Sequence, residues 1–210
     1  MQKNMQRNTA LHLAGLHGDI DTVEALSEIH PENVNIFNDS KKLPIYLAAS
    51  MRSGVSDSEK LKCIRELLSK TDQEKLLTPT IEGEYLILSL VRFNNIEIIS
   101  EVLNKNQKQL FLEDRRGQNL LHLSIIQGSP RLVDYFSDIE KLLQQKTQNG
   151  STALHLACRY GDENIIRTIY NKILTLNLNQ LINSKDQHGK TPRDYAKERN
   201  VAWILDEDKH

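Results

Sequence analysis

Three histidines occupy the same place in a repeated phrase of this 210-residue chain, and histidine side chains can bind metal ions. His12, His122 and His155 each lie between two leucines. A zinc site needs ligands that converge on one ion, with metal–nitrogen distances of about 2.0–2.1 Å. Because each histidine belongs to a different repeat, stacking would set the three apart in a row. We therefore predict that each imidazole bonds to the backbone and joins adjacent repeats, with no metal and no cofactor.

A candidate nucleophile, Cys158, lies one helical turn after His155. A thiolate beside a histidine base is an arrangement for covalent catalysis. Cys158, however, takes the place that Ala49 has in another copy of the phrase, which favours a small, buried and inert thiol.

Gly189-Lys190-Thr191 resembles the end of a phosphate-binding loop, but Ser184 stands where that motif needs its first glycine. We predict a turn that enters a helix instead. No G-x-S-x-G, H-E-x-x-H, EF-hand or C-x-x-C pattern occurs in the sequence. The chain is therefore predicted not to be an enzyme and to have no catalytic residues.

The elements that position these residues are six copies of one phrase. The pairs that align with Leu11-His12 are Ile45-Tyr46, Leu86-Ile87, Leu121-His122, Leu154-His155 and Arg193-Asp194. Their spacings of 34, 41, 35, 33 and 39 residues indicate a basic period near 33–34, with the excess in loops. A period of this length is typical of stacked repeats, which build long binding surfaces rather than one catalytic pocket.

Each phrase predicts two helices. Residues suited to the start of the first helix are Thr9, Pro44, Thr152 and Pro192. Glycines predicted to end it in the left-handed conformation are Gly18, Gly128 and Gly161. Second helices are predicted over Thr22–Ile29, Glu59–Leu68, Ile96–Leu103, Arg131–Leu143 and Glu163–Leu174.

The phrase resembles the ankyrin repeat across nearly the whole chain, most closely in Thr9 to Asp19 and in Thr152 to Asp162. The resemblance implies an all-α ankyrin-repeat solenoid of about six helix–turn–helix units joined by short finger turns, forming a single domain over residues 1–210. The predicted units are 8–39, 40–81, 82–115, 116–148, 149–187 and a C-terminal cap at 188–210. The resemblance to ankyrin repeats includes those of bacterial effectors. The chain is rich in Lys, Asn, Gln and Ile, which is typical of an AT-rich genome, and ankyrin modules from such genomes are often bacterial effectors.

Bulk composition narrows the class of partner. The net charge of −1 gives no overall field for nucleic acid or an anionic membrane, so no nucleic-acid partner is expected. No stretch of the sequence approaches the roughly 18–20 consecutive apolar residues that a membrane span needs, so no span is expected either. Two cysteines are too few for a disulfide framework and favour the cytoplasm. For a bacterial effector, the expected location is the cytosol of a host cell. The chain is expected to be monomeric.

The resemblance also implies where a partner binds, namely at the ends of the first helices and at the fingers. Reading the position just before each glycine gives the column His17, Met51, Phe93, Gln127, Tyr160 and Arg199. Met, aromatic residues and Arg are the types enriched in protein interfaces. The predicted partner-binding residues are Met51, Arg92, Phe93, Arg115, Arg116, Gln127, Arg159 and Tyr160.

The predicted function is binding of a partner protein or peptide, without catalysis, through the concave face that the first-helix ends and the fingers are expected to line. The alternative is a regulatory or targeting ankyrin segment of a larger enzyme or secreted effector. A third hypothesis, recognition of nucleic acid or anionic lipid by basic fingers, requires a steep salt dependence of binding.

Two connections between predicted helices are longer than the repeat requires, and both ends of the chain depart from the repeated phrase. Residues 52–58 and 72–82 are predicted as surface extensions, with a binding role as the alternative. The first unit is either covered by Met1 to Arg7 or preceded by further chain. In the cap, Trp203 is predicted to fold back over unit five.

Overall fold

A computed structural model describes residues 6–50 and 54–206. The chain divides into two compact units, Met1–Leu110 and Phe111–His210. All regular structure in the described ranges is helical and contains no strand, which confirms the all-α prediction. A single domain over 1–210, with the unit boundaries given above, stays a prediction.

The α-helices alternate between a short first helix and a second helix in each repeat. In the first unit they are α1 (Ala10–His17), α2 (Ile20–Ile29), α3 (Pro44–Ala48), α4 (Asp57–Lys70), α5 (Leu86–Leu90) and α6 (Ile96–Lys105). In the second unit they are α7 (Leu120–Gln127), α8 (Pro130–Ser137), α9 (Glu140–Gln144), α10 (Ala153–Tyr160), α11 (Glu163–Thr175) and α12 (Pro192–Glu198). Short 3-10 helices lie at Pro31–Asn35, Lys75–Leu77, Val91–Phe93, Gln107–Phe111, Asn179–Leu181 and Ala202–Leu205.

Helix pairs stack through their apolar faces within each unit. In the first unit, α1 packs on α3, while α2 and α6 both pack on α4. In the second unit, α10 packs between α7 and α12, and α8 packs on α11. Each pair buries its leucines and isoleucines against its neighbours, as stacked repeats require. Core side chains with no exposed surface include Ile45, Ile64, Ile87, Ile98, Leu121, Phe136, Leu154 and Ile169.

The repeated Thr-x-x-His segment is a capping box. The Nδ1 atom of His12 accepts hydrogen bonds from the backbone N–H and hydroxyl of Thr9, at 3.2 and 2.8 Å, while Thr9 caps the amide of His12. Thr152 and His155 repeat the arrangement in α10. The histidine here does the work that Glu or Gln does in the common box, which satisfies amides left unpaired at the helix start.

The imidazoles of two repeats also join neighbouring repeats. Because Nδ1 is the acceptor, the ring proton lies on Nε2, which donates to a carbonyl of the following finger. His12 reaches the Lys42 carbonyl at 3.0 Å, and His155 reaches that of Lys190 at 3.1 Å. The backbone-bonding prediction is confirmed for these two.

For His122 the prediction is confirmed only for the bond to the backbone, not for the link to a neighbouring repeat. Its Nδ1 accepts from the Asn119 amide at 3.3 Å, but its buried Nε2 has no hydrogen-bond partner in the described part of the chain. The physical difference is α9, which packs against α7 in this repeat. The Asn119 side chain makes the link instead, because its Nδ2 donates to the Leu142 carbonyl at 3.1 Å and to the Gln145 side chain at 2.8 Å.

Both thiols are buried and free. Burial raises the pKa of Cys158 to about 12 and that of Cys63 to about 11, so both are protonated at neutral pH. The thiolate that a Cys158 nucleophile needs is therefore disfavoured. The prediction of a buried Cys158 is confirmed.

Two local predictions are wrong. The helix expected over Arg131–Leu143 is divided into α8 and α9, where the Ser137 hydroxyl donates to the Asp134 carbonyl and competes with helical bonding. Gly161 has an extended backbone (φ −71°), unlike Gly18 and Gly128. Gly161 is suited to its site by space, because a Cβ there would lie 2.8 Å from the Ala157 carbonyl oxygen.

The extension at 72–82 is an integral part of the first unit. It contains the 3-10 helix Lys75–Leu77, whose Leu76 is buried. Tyr46, which stands in place of the repeated histidine, donates its hydroxyl to the Thr78 carbonyl at 3.1 Å and accepts from the Leu86 amide at 2.8 Å. Residues 72–82 thus receive the link that a histidine makes elsewhere. Residues 51–53 of the other extension lie outside the described residues.

The C-terminal end closes the second unit with the 3-10 helix Ala202–Leu205, which packs on α11. Ile204 and Leu205 are buried, while Trp203 stays largely exposed and lies against Arg167 of α11 at 5.1 Å. The fifth predicted repeat, residues 149–187, is therefore covered mainly by Ile204 and Leu205. Nowhere in residues 6–50 and 54–206 is a helix both long and apolar enough to cross a bilayer.

Candidate binding surface

The finger turns are built by a polar side chain at their first position, which is Asp or Asn in some fingers and Thr in others. In the second unit, Asp114 Oδ1 accepts from the Arg116 and Gln118 amides, both at 2.8 Å, and Gly117 supplies the positive φ of 69°. Asp186 accepts from two amides in the same way. The acids beside the basic finger residues are therefore part of the turn framework.

Backbone hydrogen bonds join successive fingers within each unit. In the first unit, the Asp39 amide donates to the Gln6 carbonyl at 3.2 Å, and the Ile81 amide donates to that of Ser40 at 3.1 Å. In the second unit, the Gln148 amide donates to the Arg116 carbonyl at 2.8 Å. These links use main-chain atoms, so finger side chains can project outward without a structural task.

A cleft of about 280 Å³ lies in the second unit between two fingers and the end of α10. It brings together three of the predicted residues, Arg116, Arg159 and Tyr160, with Leu156 also in its lining. Tyr160 is 48% exposed. The cleft also has the polar residues Gln118, Thr147, Gln148, Asn149 and Ser151, which the sequence analysis did not single out.

Arg159 is held in this cleft by aromatic rings. Its guanidinium carbon lies 5.1 Å from the centroid of the Tyr160 ring and 5.4 Å from that of Tyr195. The Tyr195 hydroxyl donates to Asp186 at 2.6 Å, which fixes the ring. The sequence analysis missed Tyr195 as a support for Arg159 because the two residues lie in different repeats. In the sequence, Tyr195 is recognisable only as a buried residue of α12, three positions after Pro192, where that helix begins.

The first unit has an Arg–aromatic pair at the equivalent place in its repeat. Arg92 lies over the Phe93 ring at 4.6 Å, and both belong to the 3-10 helix Val91–Phe93. The Nε and Nη2 atoms of Arg92 are buried without an acceptor in the described ranges. Burial lowers the pKa of Arg92 from its ordinary value, because desolvation penalises the charged form.

Arg92 lines a second cavity of about 310 Å³, together with Lys42, Tyr46, Ser50 and Glu84. This cavity contains both signs of charge, whereas the described lining of the second-unit cleft contains Arg but no Asp or Glu. The two Arg–aromatic pairs therefore lie in different electrostatic settings.

The remaining predicted residues are dispersed. Gln127 is the exposed last residue of α7, and Arg115 is exposed beside Arg116; neither lines the cleft. Met51 lies outside the described residues. No group of three or more His, Cys, Asp or Glu side chains suited to a metal ion occurs in the parts of the chain that the structure describes.

Arg199 of the aligned column has a structural task. Its Nη1 donates to the Cys158 and Gly161 carbonyls, at 3.1 and 2.7 Å, and so satisfies acceptors at the C-terminal end of α10. This bonding pattern supports a role in fixing the end of α10, the helix that carries Arg159 and Tyr160.

Replacing Arg199 with alanine is expected to lower the free energy of unfolding by about 1–2 kcal/mol, since two charged hydrogen bonds are lost. Arg116→Ala is the matched control, because the Arg116 side chain is exposed and should change stability by about 0.5 kcal/mol or less. Urea unfolding followed by circular dichroism measures both. Equal stability of Arg199→Ala and the parent chain would contradict the capping role.

Comparisons with known proteins place this geometry in context. Residues 86–180 match the family model described as ankyrin repeats (3 copies). Human Rabankyrin-5 is 27% identical over 163 residues, which cover 77% of this chain and 13% of that protein. The NAD-dependent deacetylase sir2B of Dictyostelium discoideum is 20% identical over 212 residues, covering 90% of this chain and 27% of that protein.

A solved structure has a similar fold. The crystal structure of the human ASB11 ankyrin repeat domain aligns with a TM-score of 0.76 and 19% identity, covering 97% of this chain and 84% of that one. The chain spans only 13% and 27% of the lengths of the two curated relatives.

Proposed function

Because this chain carries ankyrin repeats and has the fold of ankyrin-repeat domains, we propose that it binds another protein or peptide without catalysing a reaction. Ankyrin repeats generally mediate protein–protein interaction. The proposed binding residues lie at the first-helix ends and fingers: Arg92 and Phe93 in the first unit, and Arg116, Arg159 and Tyr160 in the second. We further propose that the chain acts as a monomer in the cytoplasm, or in a host cytosol if it is a delivered effector.

The observation that carries the proposal is the pairing of Arg with an aromatic ring at one repeat position in each unit. Arg92 stacks on Phe93, and Arg159 stacks on Tyr160. Neither guanidinium has a carboxylate partner in the described chain. Arg and Tyr are enriched among residues that dominate binding energy, and a ring that restrains an arginine lowers the entropy lost on binding.

Support for binding rather than catalysis comes from the candidate chemistry. Burial raises the pKa of the Cys158 thiol to about 12, and His155, its helical neighbour, uses both ring nitrogens for capping and for the next finger. These contacts leave no activated nucleophile at the pair that sequence analysis singled out.

The double substitution Arg159→Glu with Tyr160→Ala is expected to abolish partner capture by the immobilised chain and to leave thermal unfolding nearly unchanged. Both side chains lie at the surface, where substitutions change stability little. The matched control is Arg65→Glu with Tyr135→Ala, which makes the same changes at exposed sites on α4 and α8. Undiminished capture by a folded Arg159/Tyr160 variant would exclude this surface.

The second candidate function is a regulatory or targeting segment of a larger enzyme. The similarity to part of a Dictyostelium deacetylase favours it, because the chain spans 27% of that protein. An activity assay on the full-length gene product discriminates between the two functions: activity that maps outside residues 1–210 would support the second.

A further inference from the structure

The second-unit cleft presents two arginines that have no carboxylate partner among the described residues. Neither Arg116 nor Arg159 has a hydrogen bond or ion pair from its side chain to the described chain; Arg159 makes only ring contacts. Rings contact the flat face of a guanidinium, whereas its N–H donors point outward in its plane. Stacking on Tyr160 and Tyr195 therefore orients Arg159 and leaves its donors open.

The acids of the adjoining fingers and of α12 have other partners. Asp114 accepts from two amides of its own turn. Asp186 accepts from two amides and from the Tyr195 hydroxyl. Glu198 pairs with Lys190 at 2.6 Å. The two cleft arginines are therefore available to an acceptor from outside the described chain.

The cleft is also fixed in advance. The backbone of Arg116 is held on one side by the Asp114 turn and on the other by the Gln148 amide, at 2.8 Å from the Arg116 carbonyl. Arg159 ends a helix whose last carbonyls are bonded by Arg199. The ring contacts restrain the side chain of Arg159 as well, so this arginine binds a charged group at a smaller entropic cost than a mobile one would.

Size and lining define the group that fits. A volume of about 280 Å³ admits a side chain rather than a folded element, and Leu156 offers a contact for methylene groups. The surrounding hydroxyl and amide groups of Ser151, Gln118 and Asn149 can donate further hydrogen bonds. The first-unit cavity differs, since Glu84 lies in it beside Arg92.

We propose that the cleft between Arg116 and Arg159 receives an anionic side chain from an acidic segment of the partner protein. Two arginines that line one cleft suit carboxylate or phosphoryl oxygens, which arginine binds in a bidentate manner. The proposal rests on the proposed function, because it names the chemistry of the partner at that same surface.

The test is an NMR titration of the full-length ¹⁵N-labelled chain with a hexaglutamate peptide and, separately, with a hexaserine peptide. Hexaglutamate is expected to bind saturably and to shift the amide signals of Gln148 and Gly150, while hexaserine should leave them unchanged. Arg116→Gln and Arg159→Gln should each weaken binding about tenfold, the effect of losing a charged hydrogen bond. The control is Arg65→Gln, which removes the same charge from α4, where Arg65 pairs with Glu101 of α6. It should change affinity less than twofold.

Two further arms separate the possible sources of the anion. A hexaserine peptide with one phosphoserine that binds in the same way supports an anionic side chain supplied as a phosphoryl group. Inorganic phosphate that binds as tightly as either peptide would overturn the proposal in favour of a free-anion site. Absence of hexaglutamate and phosphopeptide binding, or equal weakening by Arg65→Gln, would also overturn it.

Failure here is distinguishable from failure of the proposed function. If acidic peptides do not bind but partner capture still depends on Arg159 and Tyr160, only the acidic chemistry is excluded. If capture is also insensitive to the two residues, the surface itself is excluded.

Discussion

Phe136→Ala is expected to lower the free energy of unfolding by about 3–5 kcal/mol. Phe136 has no exposed surface, and it lies on α8, which packs against both α7 and α11. Removing its ring leaves a cavity that the surrounding helices can fill only in part, so the loss adds cavity formation to lost burial. Urea unfolding monitored by circular dichroism gives the change from the midpoint and slope.

The adjacent residue provides the control for Phe136. Tyr135 is 40% exposed, and its ring touches that of Phe136 at a centroid distance of 5.2 Å. Tyr135→Ala removes an aromatic ring at the next position and should cost about 1 kcal/mol or less. Similar losses for the two variants would mean that stacking of repeats in the second unit does not depend on this core position.

Stability is expected to fall by about 2 kcal/mol between pH 7 and pH 5 through His122 alone. Burial lowers the pKa of His122 to about 4, whereas a histidine in the unfolded chain has a pKa of about 6.5. As the pH falls from about 6.5 towards 4, the unfolded chain takes up a proton that the native chain refuses. His155 acts in the same direction, because burial lowers its pKa too.

Urea unfolding at both pH values measures this effect in the parent chain and in His122→Gln. The variant should lose most of the pH dependence, while His17→Gln, at an exposed position, should keep it. Carboxylates with lowered pKa values, such as Asp19 and Asp194, lose their stabilising contribution only as the pH falls through and below about 4. If the free energy of unfolding of His122→Gln depends on pH as much as that of the parent chain, other groups cause the loss of stability at low pH.

The fold was accessible from sequence because its determinants are local and repeated. Thr9 and Thr152 start their helices through contacts with residues three positions later, and such contacts recur with the repeat period. The repeated histidine was predictable for the same reason. Asp194 shows the local rule most clearly, because it keeps the capping bonds to Thr191 although the ring is absent.

Departures arise where packing and side-chain hydrogen bonds decide. The capping of α10 by Arg199 depends on the repeat that lies opposite, which a single repeat does not encode. The break between α8 and α9 and the unpartnered Nε2 of His122 in the described chain arise instead within one repeat, from the Ser137–Asp134 hydrogen bond and from the packing of α9 on α7. The candidate site divides in the same way. Arg159 and Tyr160 were identified by their position before Gly161, whereas the support from Tyr195 comes from the next repeat.

The main-chain links between fingers separate support from recognition. Because the Gln148 and Gln187 amides bond to carbonyls of the preceding finger, those connections would survive almost any change of the side chains around them. The side chains that form the turns, Asn38, Thr80, Asp114, Thr147 and Asp186, and the glycines at positive φ maintain the architecture of the fingers. The other side chains at the finger tips can therefore be substituted to bind a new target, while the backbone links between the fingers are preserved.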